Sequence, residues 1–426
     1  MINQEKVIPH FTNSISFKIF TIIFLIILLQ IPLFYVEHLI KERQDLSRQA
    51  QGEIQKRWGG QQYIGSPVMV LKKFSKGYFN TQVKKQHIIS ASNFKLDAEL
   101  AAQVRYLGIY ETAIYKADVK MSGRIEINSQ FNQEILNNTK EYLLFLPLKQ
   151  IKGIKQLKSL KINGKQIAFK AVFSQVAGLN GLAIQLNKVM DLTKTKILDY
   201  SMELSFIGSK EFDVLPQAHK NDVEIRSNWV SPAFVGNLLP DSRRISKKGF
   251  IASWHSNNLI QGKEDADKLF GVQIKIPANI YQVNYRTVKY SFLIIVLTFS
   301  SFFLTELLFK IQLHPFQYLL IGVSLSVFYL LLLSLSEFFS FNASYSMASV
   351  AVILLISGYS SVVLKQRKRG LLTAVLFAVL YGFIFMMVRA EQTSLLMGSL
   401  AIWLLLALVM YLTRKIDWYV ITDNDG

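Results

Sequence analysis

Residues 290–309 read YSFLIIVLTFSSFFLTELLF, and residues 315–336 read PFQYLLIGVSLSVFYLLLLSLS. Each stretch is close to the roughly 20 apolar residues that a helix needs to cross a bilayer core. Three runs of the same kind follow, at 341–364, 370–388 and 393–413, and one precedes them, at 17–36. Between residues 37 and 285 the chain is mixed in polarity and rich in lysine. This division decides the fold class: membrane helices at both ends of a long polar insertion.

The composition agrees. Hydrophobic residues make up 51% of 426, beyond an ordinary soluble chain. The formal net charge is +19, and residues 37–285 carry 36 Lys and Arg against 22 Asp and Glu, so most of the charge belongs to the insertion. A basic, translocated domain without a nucleic-acid motif points to anionic lipid or an anionic envelope polymer rather than to nucleic acid. There is no cysteine, which excludes disulfides, thiolate nucleophiles, Cys-ligated zinc and a lipidated N-terminal cysteine.

Orientation follows from the short loops. Lys6, Lys18, Lys310, Lys365, Arg367, Lys368, Arg369, Arg414 and Lys415 fall on one side of six spans, against Arg389 on the other. The positive side is cytoplasmic. No small-residue cleavage site follows the first run, where Glu37, His38 and Lys41 stand instead, so it reads as a retained signal anchor. The expected fold is an α+β membrane protein. It has a cytoplasmic tail and first transmembrane helix over 1–36, and an extracytoplasmic, mainly antiparallel β domain over 37–285. A C-terminal five-helix transmembrane bundle over 286–414 and a cytoplasmic tail over 415–426 complete it. Tyr290, Tyr381, Tyr411, Trp418 and Tyr419 lie near span ends, where interfacial aromatics are expected.

In the insertion, residues 109–119 read IYETAIYKADV, an alternating strand pattern, and residues 161–173 read KINGKQIAFKAVF. Asn163-Gly164 in the latter is a strong hairpin signal. Residues 142–148, 201–207 and 249–254 are further strand candidates, which together suggest a sandwich or related β fold. Residues 37–57 read as an amphipathic helix leaving the membrane.

Signs of chemistry are few. The six histidines include no pair at helical metal spacing, and there is no HExxH, phosphate loop or nucleophile elbow. One S-x-x-K tetrapeptide, Ser92 to Lys95, lacks the companion elements of penicillin-recognising enzymes. We expect no cofactor, no metal and no catalytic group. Ionisable groups in or beside the spans are the better candidates, because a charge in hydrocarbon needs a partner or a role. Glu306 precedes Lys310 by four residues, a spacing that lets the two pair. Glu337 ends the next span on the outer side, at the depth of Arg389 and Glu391, so Arg389 is expected to pair with one of those carboxylates. Gly322, Ser326, Tyr329, Leu333 and Ser336 share one helix face, with Gly322 and Ser326 allowing close helix approach.

The stretches RYLGIY at 105–110, GNLLP at 236–240, GFIASW at 249–254, RTVKY at 286–290, HPFQYLLIG at 314–322, FYLLLLSLSE at 328–337 and TRKIDWY at 413–419 stand out. In these the chain resembles the CreD family of bacterial inner-membrane proteins, which implies an inner-membrane location with the β domain in the periplasm. The resemblance implies a protein expressed under a two-component sensor and regulator, with effects on envelope integrity, envelope stress and β-lactam tolerance, and it supplies no catalytic residue. Two readings stand. One is a non-enzymatic envelope protein whose periplasmic domain contacts lipid, peptidoglycan, an anionic polymer or an envelope protein. The other is a transporter or membrane-embedded enzyme using Glu306, His314, Glu337, Arg389 or Glu391. Tyr329, on the face of Gly322 and Ser326, is a further polar candidate, and packing is the favoured reading of that face over a transport path.

Overall fold

A computed structural model describes residues 15–76, 81–127, 141–168, 170–187, 195–257, 269–274, 276, 280–309, 311, 313–364, 366–390 and 394–414. The chain is α+β and divides into two compact units, one of Met1–Leu46 with Ala278–Gly426 and one of Ser47–Pro277. The division falls inside the limits of 37 and 285 drawn from hydropathy.

The membrane unit begins with α1 (Ile15–Leu28) and α2 (Gln30–Arg57), the latter running on into the second unit. After the insertion come α3 (Ile280–Lys289), α4 (Ser291–Phe309), α5 (Pro315–Ser336), α6 (Phe341–Val363), α7 (Arg367–Arg389) and α8 (Ser394–Thr413). Among the described residues, Phe17–Arg57, α5, α6 and α7 are long and apolar enough to span a membrane, and α3 with α4, bent by 41°, would be a fifth. The amphipathic α3 belongs here because Asn284 is buried and donates to Ser336 Oγ at 2.6 Å.

α5 is the central element, with contacts to α1, α3, α4 and α6. Gly322 makes this possible: a Cβ there would come within 2.2 Å of Leu29 Cδ1 and 3.0 Å of Phe299 Cζ. Further along α5, Phe328 packs against the rings of Tyr329, Tyr345 and Tyr381. Tyr381 is thus a core residue, 2% exposed, rather than an interfacial anchor. Its position near a span end in the sequence concealed a ring turned toward α5 and α6.

The second unit is built of strands, mostly antiparallel, in three sheets. In chain order they are β1 (Gln62–Gly65), β2 (Val68–Lys76), β3 (Thr81–Ile89), β4 (Asn93–Leu107), β5 (Tyr110–Glu126) and β6 (Glu141–Pro147). Then follow β7 (Ile154–Ile162), β8 (Lys165–Gln166), β9 (Ala171–Val176), β10 (Leu179–Gln185), β11 (Ile197–Ser209) and β12 (Glu211–Leu215). The last are β13 (Lys220–Ser227), β14 (Pro232–Gly236), β15 (Ser242–Ser246), β16 (Gly249–Asn257) and β17 (Phe270–Ile274). The largest sheet has the order β15-β16-β13-β4-β5-β11-β7-β8, the second β3-β2-β6-β10-β9 and the third β1-β12-β17-β14.

Alternation explains the layering. In β4, Phe94, Leu96, Ala98, Leu100 and Ala102 are buried while the residues between them face outward, as a strand with one dry face requires. One continuous core joins side chains from all three sheets, including Phe94, Tyr115, Leu144, Leu204, Phe212, Trp254 and Phe270. The hairpin predicted at Asn163-Gly164 joins β7 to β8, both residues adopting positive φ of 52° and 78°, as a tight primed turn demands.

Candidate functional site

The most enclosed charged group among the described membrane helices is Glu306, in the last turn of α4 and 6% exposed. Its sequence neighbour Lys310 lies outside the described residues. Lys18 of α1 donates to Glu306 Oε1 at 2.5 Å. The main-chain N–H of Leu313 reaches the same oxygen at 3.1 Å, and Tyr318 OH donates to Oε2 at 3.0 Å. The carbonyl of Glu306 also accepts from Ile311 N at 3.2 Å. Tyr318 is held in place by the edge of Phe299, 5.6 Å between centroids. One carboxylate therefore ties together α1, the end of α4, the connection after it and the first turn of α5. Both its oxygens are occupied, which is the condition under which a buried charge is tolerated.

His314 has a different role from a ligand. Its Nδ1 accepts from Phe316 N at 3.2 Å, and its own N–H donates to Gln317 Oε1 at 3.0 Å. With Pro315 in the first turn this is a complete capping box for α5. The signal H-P-x-Q was present in the sequence.

At the other end of α5, Glu337 pairs with Arg43 of α2 at 3.5 Å. Arg389 donates to Asn342 Oδ1 at 2.6 Å and lies 4.9 Å over the Phe385 ring. Of the two carboxylates expected to pair with Arg389, Glu337 is thus engaged by Arg43 of α2. Glu391 lies outside the described residues. Near this end Lys41 pairs with Glu37 at 2.7 Å and sits 5.4 Å over Tyr285.

Tyr329 is 1% exposed, and its hydroxyl has no hydrogen-bond partner among the described residues; the same holds for Thr298 Oγ1, Ser344 Oγ and Tyr381 OH. Tyr345 is different, donating to the main-chain oxygen of Tyr381 at 2.8 Å. Around Phe328 the described helices thus gather three phenols, those of Tyr329, Tyr345 and Tyr381.

The strand unit adds a group that the sequence did not single out. Asp213 on β12 faces Gly271 of β17 and shares a strand face with Glu211. Burial, reinforced by Glu211 and opposed by Lys149, raises its pKa from an ordinary 3.8 to about 7. Gln61 donates to Glu211 Oε2 and accepts from Lys149 Nζ at 3.0 Å, and Tyr115 OH donates to the Glu211 carbonyl at 2.7 Å. Among the described residues no group of three or more His, Asp or Glu could hold a metal ion.

Comparison with known proteins gives a consistent result. A family model described as "Inner membrane protein CreD" matches residues 14–419. The inner membrane protein CreD of Escherichia coli (strain K12) is 28% identical over 414 residues, covering 92% of this chain and 91% of that protein.

Proposed function

Because the chain belongs to the CreD family of inner membrane proteins, we propose that it supports cell-envelope integrity as a non-enzymatic membrane scaffold. Its strand unit would lie on the periplasmic side and bind an envelope component. The observation that carries this reading is the occupancy of Glu306. A carboxylate that relays protons or binds a transported cation must release its partners during the cycle. Here Lys18, Leu313 N–H and Tyr318 OH fill both oxygens from within the chain, which suits a clamp between helices. Placement of the strand unit outside the cytoplasm is supported by the asymmetry of the short-loop charges.

Deletion of the protein is the test. It should alter sensitivity to detergents or cell-wall antibiotics without abolishing any metabolic step. A purified protein that turned over a defined substrate would defeat the proposal.

The phenols gathered around Phe328 favour a second reading, a polar path for transport. Since the chain contains no cysteine, Ser349→Cys in α6 gives a unique thiol beside Tyr345. Rapid reaction of that thiol with a membrane-impermeant reagent would favour a water-lined path. Protection would favour packing.

A further inference from the structure

On the largest sheet some cations are paired, Arg226 with Asp97 and Glu224, Arg124 with Asp199, and Lys158 with Asp118. At one edge cations are clustered without such partners. β15 reads Ser-Arg-Arg-Ile-Ser, is exposed at every position, and is followed by exposed Lys247 and Lys248 in the turn to β16. Residues 228–257 contain a single carboxylate, Asp241, which accepts from His255 N–H at 2.6 Å and lies 3.2 Å from that ring's Nδ1. Among the described residues no carboxylate pairs with Arg243, Arg244, Lys247 or Lys248; Arg243 rests 5.8 Å over the Phe234 ring.

This edge is shaped, not loose. β15 and β16 pair in register from Ser242↔Ser253 to Ser246↔Gly249. In the turn, Lys248 N donates to Ser246 Oγ, which in turn donates to the Gly249 carbonyl, each at 3.2 Å. Behind it, Trp254 Nε1 donates to the Leu238 carbonyl at 3.2 Å and Asp241 N to that of Ser253 at 2.9 Å. On this frame aliphatic side chains stand out between the cations. Leu239 is 67% exposed, Ile245 50% and Ile251 42%, and Ile251 lies directly across from Arg244.

Four unpaired cations interleaved with wet aliphatics match a surface that is negative at the top and hydrocarbon just beneath. An anionic phospholipid leaflet has that profile. A wholly polar polyanion would satisfy the cations and leave Leu239, Ile245 and Ile251 in water. The chain also leads from the strand unit into apolar helices at both of its ends, so a lipid surface is always tethered to it. We propose that the β15–β16 hairpin is a docking element for anionic phospholipid headgroups. This deepens the envelope role proposed above and rests on it for the side of the membrane concerned. Each cation near such a surface strengthens binding by about fivefold.

The cysteine-free chain permits a direct test. A polarity-sensitive fluorophore on Leu239→Cys, in the full-length protein in nanodiscs, should shift to the blue when phosphatidylglycerol replaces part of the phosphatidylcholine. Added salt should reverse the shift in the unaltered hairpin, and the combined Arg243→Glu, Arg244→Glu, Lys247→Glu and Lys248→Glu changes should abolish it. The same label on Lys165→Cys, at the opposite edge of the sheet, should not respond. Emission indifferent to phosphatidylglycerol would overturn the docking assignment, even where deletion still sensitises cells. So would an equal shift produced by a soluble anionic polysaccharide with neutral nanodiscs. The envelope role fails separately, if deletion leaves sensitivity unchanged.

Discussion

Removing one partner of a buried ion pair leaves the other charge where nothing solvates it, a loss of about 3–5 kcal/mol, whereas replacing both partners by apolar groups is often near neutral. Lys18→Met or Glu306→Gln alone should therefore lower the thermal stability of the protein in detergent, and the double substitution should cost clearly less than the sum. Additive effects would show that Lys18 and Glu306 do not act as a unit. Asp213 makes a prediction of the opposite electrostatic kind. Its pKa is raised from 3.8 to about 7 in the folded chain, so the native state binds the proton more tightly than the unfolded one. Stability from this group is complete below about pH 4 and is lost as pH rises through 7. The full chain should melt at a higher temperature at pH 5 than at pH 8 by this contribution, and Asp213→Asn should flatten the dependence. A slope unchanged in the Asn variant would assign it elsewhere. Neither residue's environment could be read locally. Lys18 was legible as a topogenic charge, but not as the partner of a glutamate 288 residues away, and Asp213 sits in an unremarkable E-F-D-V strand whose burial comes from other strands.

Elements were legible where their signal is short-range. The alternation of β5 and the Asn163-Gly164 turn identify themselves within a dozen residues, because side-chain facing and positive φ are local properties. Sheet order was not legible: β13 pairs in parallel with β4 across a long separation, and β1 with β12 likewise. No periodicity encodes such partners. Among the helices, the small residue at 322 did announce a close approach, and the structure supplies the approaching side chain, Leu29. Gly322→Val should loosen the packing of the N-terminal helix on α5 and lower the melting temperature in detergent. Leu29→Ala, by removing the obstructed methyl groups, should recover part of that loss. Absence of any recovery would mean that Phe299, not Leu29, sets the spacing.

At the scale of the molecule, hydropathy separated membrane helices from strand unit because twenty consecutive apolar residues are a signal that few other structures produce. The proposed topology, both termini cytoplasmic and the strand unit outside, predicts that a periplasm-active reporter inserted at Gln150 is active and one fused after Gly370 is silent. Activity at the second position would invert the arrangement. The Lys18–Glu306 clamp has a final consequence, for biogenesis. Its acidic half leaves the ribosome only after the whole strand unit has been made, and at about 5–20 residues per second that interval is roughly 15–60 s. Throughout it the first helix carries an ammonium without its glutamate, so a nascent chain arrested before residue 306 is chemically distinct from one that has passed it, and the emergence of Glu306 is what closes the pair.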